Sequence, residues 1–230
     1  MSPVYGPALS AVLHCGAYPE SVPESFKRPV RRPTESFDSL VGGTDPADQA
    51  RAAHRTASAL LARVRADESG MSAERLIAYT REHGIDEIAE LWAAAPAHSL
   101  PGALWRLYVL QAAIHADPST AAFLHERGRV ELPTADALVA GAPVPASPDE
   151  IVSLIDTILH GAFRGDFSVA LERAAAFCRV QASGATHIAD DYEPTEPVRG
   201  SELTTRALRL SGYADDLAAS AAAWRRGMLD

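Results

Sequence analysis

Residues 100–117, LPGALWRLYVLQAAIHAD, constrain the fold more than any other stretch of the chain. Ser99 suits an N-cap, and Pro101 falls in the first turn, where its missing N–H leaves no helical bond unmade. Leu100, Ala103, Leu104, Leu107, Tyr108, Gln111 and Ile114 recur at helical spacing, while Trp105, Val109, Leu110 and Ala112 fill much of the other side. A helix that is apolar all round belongs inside a protein. The run is shorter than the roughly 20 apolar residues of a membrane span and carries Arg106 and His115. It therefore predicts a buried central helix, closed at Asp117-Pro118 because the residue before a proline avoids the α region. Arg106 and His115 need a partner or a route to solvent in such a setting.

The rest of the chain from residue 45 reads as helix, with no period-2 alternation between turn signals. Asp45-Pro46 opens a helix striped by Ala50, Ala53, Ala57, Leu60, Leu61 and Val64, with Arg51, Arg55, Arg63 and Arg65 on or near a solvated face. Ser72 caps a second helix ending at His83-Gly84, and Ile85, Ile88, Leu91 and Trp92 belong to the next. This pair is a helical hairpin rather than a DNA reader, because the second helix begins with the acidic run Asp86-Glu87-Ile88-Ala89-Glu90 where phosphates would approach. Asp117-Pro118 starts a short helix that Gly128 should close. Residues 129–147 read as a connector with one turn at 134–139. Ser147-Pro148-Asp149-Glu150 combines a capping box with proline at the first helical position. Asp166 begins a stripe of Phe167, Ala170, Leu171, Ala174, Phe177 and Cys178 that should run to Gly184. Residues 187–200 are acidic, broken by Pro194 and Pro197, and read as a solvated loop. In the last helix, expected from Ser201, Leu203, Ala207, Leu210, Ala214, Leu217, Ala221 and Trp224 alternate four and three apart as a heptad seam, which Ser211-Gly212 should kink or split.

The first 44 residues differ. Six prolines between positions 3 and 33 break them, and Lys27, Arg28, Arg31 and Arg32 cluster between Phe26 and Phe37. They predict a proline-rich, partly basic arm (1–44) ahead of a single all-helical domain (45–230), an orthogonal or mixed bundle of about eight helices. The net charge of −9 opposes general binding to nucleic acid or anionic membranes. Two cysteines, Cys15 and Cys178, make neither a disulfide framework nor a CxxC site; with no secretory leader apparent, a cytoplasmic chain is expected.

Phosphate-binding glycine loops, HExxH, GxSxG and paired ExxH ligands are all missing from the sequence. No cofactor or metal is expected. Three functions remain open. The favoured one is a cytoplasmic helical binding module that works through protein contacts, by the basic residues Lys27, Arg28, Arg31 and Arg32 or by a homodimer seam at Leu210, Leu217 and Trp224. The second is a regulator holding a small molecule between helices at Trp105, Arg106, Tyr108 and His115, with DNA as a further partner. The third is a bundle enzyme using Asp156 and His160, four apart on one helix face, as a carboxylate that orients an imidazole.

Overall fold

The computed structural model describes residues 45–67, 69, 71–72, 74–75, 78, 91–132, 134–141 and 147–229. Among them are seven full helices and no strand: α1 (Pro46–Ala66), α2 (Leu100–Ala116), α3 (Pro118–Glu131), α4 (Asp136–Ala140), α5 (Pro148–Arg164), α6 (Phe167–Tyr192) and α7 (Pro197–Arg225). The protein is an all-α bundle, as the sequence requires. The arm with Lys27, Arg28, Arg31 and Arg32, and most of the 72–90 hairpin, lie outside the described residues.

The start signals act as their chemistry dictates. The carboxylates of Asp45, Asp117 and Asp166 accept from the backbone N–H groups of Ala47, Thr120 and Ser168, and Ser99 Oγ accepts from Gly102 N. Ser147 and Glu150 form both halves of the capping box. At the other ends, two arginines satisfy carbonyls of each other's helix. Arg65 of α1 donates to the Ala162 and Gly165 carbonyls at the end of α5, at 3.2 and 3.3 Å, and Arg164 of α5 donates to the Asp67 carbonyl that follows α1.

Helix α2 is buried along most of its length, as expected, and α6 shares the centre with it. α6 packs against α2, α3, α4, α5 and α7, and α2 packs against α1, α3, α5, α6 and α7. The main core joins Leu104, Leu107, Ile155, Leu159, Phe163, Phe167 and Phe177 with their neighbours. A smaller core, around Leu124, Ala185, Ile188 and Ala207, lies where α3, α6 and α7 meet.

Two glycines expected to end helices do something else. α3 continues past Gly128 to Glu131, and α6 continues past Gly184 to Tyr192. A Cβ at Gly128 would overlap the Val180 carbonyl, and one at Gly184 would overlap the Leu124 carbonyl. The glycines thus permit α3 and α6 to touch backbone to backbone. The expected loop at 187–200 is correspondingly short: residues 187–192 are helical because Ile188 and Ala189 are buried, and only residues 193–196 separate α6 from α7. α7 begins at Pro197 and runs through Ser211-Gly212 without a break. The single turn expected at 134–139 is the short helix α4, anchored to α6 by the Arg179–Asp136 ion pair at 2.6 Å and by Arg173 donating to the Ala140 carbonyl.

Candidate functional site

Helix α2 carries three polar side chains inward or sideways from an otherwise apolar cylinder, and two of its neighbours supply an aspartate to meet them. Gln111 and His115 are one turn apart and so share a face. Gln111 Nε2 donates to Asp156 Oδ1 of α5 at 2.7 Å, and His115 Nε2 lies 2.9 Å from the same oxygen. Both members of the His115–Asp156 pair are about four-fifths buried, with side-chain exposures of 21 and 18%. A carboxylate can only accept from a neutral imidazole, so the neutral ring places its proton on Nε2 and leaves Nδ1 as the acceptor.

Arg106 points to another side. Its Nε and Nη2 reach Asp216 Oδ2 of α7 at 2.9 and 2.7 Å, and its Nη1 donates to the Gly102 carbonyl at 3.0 Å. His98 Nε2 meets the other oxygen, Asp216 Oδ1, at 3.2 Å, and the guanidinium stands 5.6 Å from the centre of the Tyr213 ring. The ion pair fixes α2 to α7 at the bundle margin, where solvent still reaches one side of the charges.

The sequence-predicted residues are therefore redistributed. Asp156 is engaged by His115 and Gln111, two residues brought from α2. No hydrogen bond or ion pair joins it to His160, which is half-buried and makes neither interaction among the described residues. Trp105, Arg106, Tyr108 and His115 do not converge on one pocket. Arg106 faces α7 and His115 faces α5, while Trp105 packs on the main core. Tyr108 is buried between Trp92 and Phe163, with ring centres 6.0 and 6.3 Å away; its hydroxyl meets no hydrogen-bond partner among the described residues, and burial pushes its pKa far above the usual phenol value. The heptad seam is real as a face, but its residues pack within the chain: Leu217 is fully covered, Leu210 lies against the main core, and Trp224 makes an edge contact with Phe167 at 4.8 Å under the Arg65 guanidinium. Leu203, Leu210 and Trp224 nevertheless keep part of their surface exposed.

His98, His125, Gln181 and Asp216 escaped the sequence reading, and Gln111 entered it only as part of the buried face of α2. The Gln111–His115 spacing on an apolar helix was a usable signal. Asp216 sits beside the seam residue Leu217 and gave none, because its partners lie more than a hundred residues away. Cys178 is fully buried, and burial pushes its thiol up to about 12, so it is an unreactive core thiol.

Chemically, each His–Asp pair has an oriented imidazole. Among the described residues, however, no three His, Cys, Asp or Glu side chains gather closely enough to hold a metal ion. Among the described residues, one hollow lies at the end of α1 and another between the ends of α1 and α5. One of about 570 Å³ is lined by Arg63, Asp67, Ser69, Met71, Ser72 and Arg75, and one of about 450 Å³ by Arg65, Phe163, Arg164 and Gly165. Neither is lined by His98, Arg106, His115, Asp156 or Asp216. No described helix is long and apolar enough to cross a membrane. Comparison with protein-family models, with curated proteins and with solved structures finds no match to this chain.

Proposed function

We propose that this chain is a helical binding module that works through protein contacts. The observation that carries the reading is a set of large apolar side chains standing in water on an otherwise well-filled bundle. Phe123 and Val130, seven apart on one face of α3, are 60 and 65% exposed, and Leu138 of α4 is 83% exposed. Apolar groups of this size gain about 1.5–3 kcal/mol each when a partner covers them. The two carboxylate–imidazole clusters support the same reading from the other side, since both join helices of the bundle.

The test compares the tagged full chain with a Phe123→Ser/Leu138→Ser variant whose melting temperature is unchanged. Stoichiometric recovery of a defined partner by the native chain, with at least a tenfold loss in the variant and cross-links from the partner to α3 or α4, is the expected result. Equal recovery by both chains would remove this surface from consideration. A second reading, acid–base catalysis, is favoured by the 2.9 Å contact of His115 with Asp156. It takes over if the purified chain turns over a substrate and His115→Gln abolishes turnover without unfolding the protein.

A further inference from the structure

His125 lies in the middle of α3 with 0% of its surface exposed. Its ring stacks nearly flat on Phe177 of α6, with centres 5.3 Å apart and planes inclined by 18°. Neither ring nitrogen meets a hydrogen-bond partner among the described residues. The helices are pressed together on both sides of this ring. One turn earlier, Gln181 Nε2 donates to the Ala121 carbonyl at 2.7 Å; one turn later come the backbone contacts at Gly128 and Gly184.

Among the described residues, the surroundings offer a proton no unpaired counter-charge. On α3 the nearest charged groups are Glu126 and Arg129, which act in opposite directions on the imidazole and are hydrogen-bonded to each other. From α6 the groups beside Phe177 are the neutral Cys178 thiol and Arg179, whose guanidinium is held by Asp136. α5 also packs on α3, and its buried residues are all apolar; its Asp156 is turned to α2 and its His160 is only half-buried. α2 touches α3 as well, but its Arg106 and His115 are engaged by Asp216 and Asp156, and burial keeps its Tyr108 hydroxyl neutral. α7 meets α3 through Leu203 and Ala207 and buries no charged side chain. The charged pairs that join α3 to α6, Arg127–Asp191 and Glu131–His187, are paired with each other. An imidazolium at this position would be a buried charge with no partner, which a protein interior does not tolerate.

We propose that the α3–α6 joint is an acid-operated catch, in which proton uptake by the buried imidazole of His125 parts α3 from α6. Burial holds the imidazole down at about 4 in the closed joint, against about 6.5 for an exposed ring. The open form therefore binds the proton more readily between these values. Closure is fully favoured above pH 6.5 and loses ground as pH falls from 6.5 towards 4. α3 also carries the exposed Phe123 and Val130, so the catch would control how that face is presented; the catch itself stands whether or not that face binds a partner.

The test measures urea unfolding of the full chain between pH 7.5 and 4.5, followed by tryptophan fluorescence, for the native protein and for His125→Phe, which keeps a flat ring against Phe177 and cannot titrate. The native folding equilibrium should weaken relative to the variant by about tenfold per pH unit below 6.5, on the order of a hundredfold at pH 4.5. Parallel pH profiles for the two proteins would overturn the proposal. Imidazole proton resonances of the native chain decide the matter independently of whether the variant folds. A His125 signal that stays neutral at pH 5.5 in the folded protein is expected, and one that titrates near 6.5 without loss of structure overturns the catch.

Discussion

Helix α2 and the α3–α6 joint both bury polar side chains in an apolar setting, and they handle them in opposite ways. On α2, Gln111 and His115 share the Asp156 carboxylate, and Arg106 has both the Asp216 carboxylate and a backbone carbonyl. These three side chains are matched, and solvent still touches Arg106 and His115, whereas the Tyr108 hydroxyl on the same helix is buried without a partner among the described residues. At the α3–α6 joint, His125 has an aromatic face and no hydrogen-bond partner among the described residues, and Gln181 satisfies its amide N–H but leaves Oε1 without a partner. The difference follows from spacing. α2 lies beside α5 and α7 at ordinary side-chain distance, with room for a carboxylate between. α3 and α6 touch at Gly128 and Gly184, where no side chain fits. Close backbone approach gains dispersion contacts and excludes polar partners at the same time.

This contrast can be broken most sharply at the glycines. Gly184→Val places a branched side chain against the Leu124 carbonyl, which is backbone and cannot rotate away. It should destabilise the fold by ~3 kcal/mol in urea unfolding, as overpacking of a rigid contact does. A neutral result would mean that α3 and α6 can separate freely. The matched cluster should respond less. Asp216→Ala leaves the Arg106 guanidinium mostly buried beside α7 without its anion, and a loss of about 2 kcal/mol is expected, with solvent at the margin tempering the effect. If the same measurement gives no loss, the ion pair is a bystander and the comparison with the α3–α6 joint loses one side. Smallest is a local control: Ser147→Ala removes one half of the α5 capping box and should lower stability by about 1 kcal/mol through the helix start alone.

Much of the fold was legible because helix starts and faces are local properties. Asp45-Pro46, Ser99, Asp117-Pro118, Ser147 and Asp166 cap the helices they announce, since a side chain two or three residues from a free N–H needs nothing distant to find it. The seam from Leu203 to Trp224 was legible as an apolar face for the same reason. That α6 of the same chain packs along it was not, because a face does not state which surface will meet it. Gly128 and Gly184 misled the reading. A glycine after a helical stripe has the same local signature whether it ends the helix or admits a neighbour, and only the second helix decides between them.

The candidate site shows the limit most clearly. Asp156 and His160 share a helix face by arithmetic, and that arithmetic gave the pair. The carboxylate instead turns to His115 and Gln111, forty-one and forty-five residues earlier in the chain. By itself the sequence determined an all-α chain, with its helix starts, its buried stripes and a central apolar helix, because those follow from backbone chemistry within a few residues and from the period of the helix. The tertiary structure alone decided which aspartate meets which basic group, which glycines become crossings and which histidine is sealed against an aromatic ring. Those outcomes depend on distances between helices, and no local pattern encodes them.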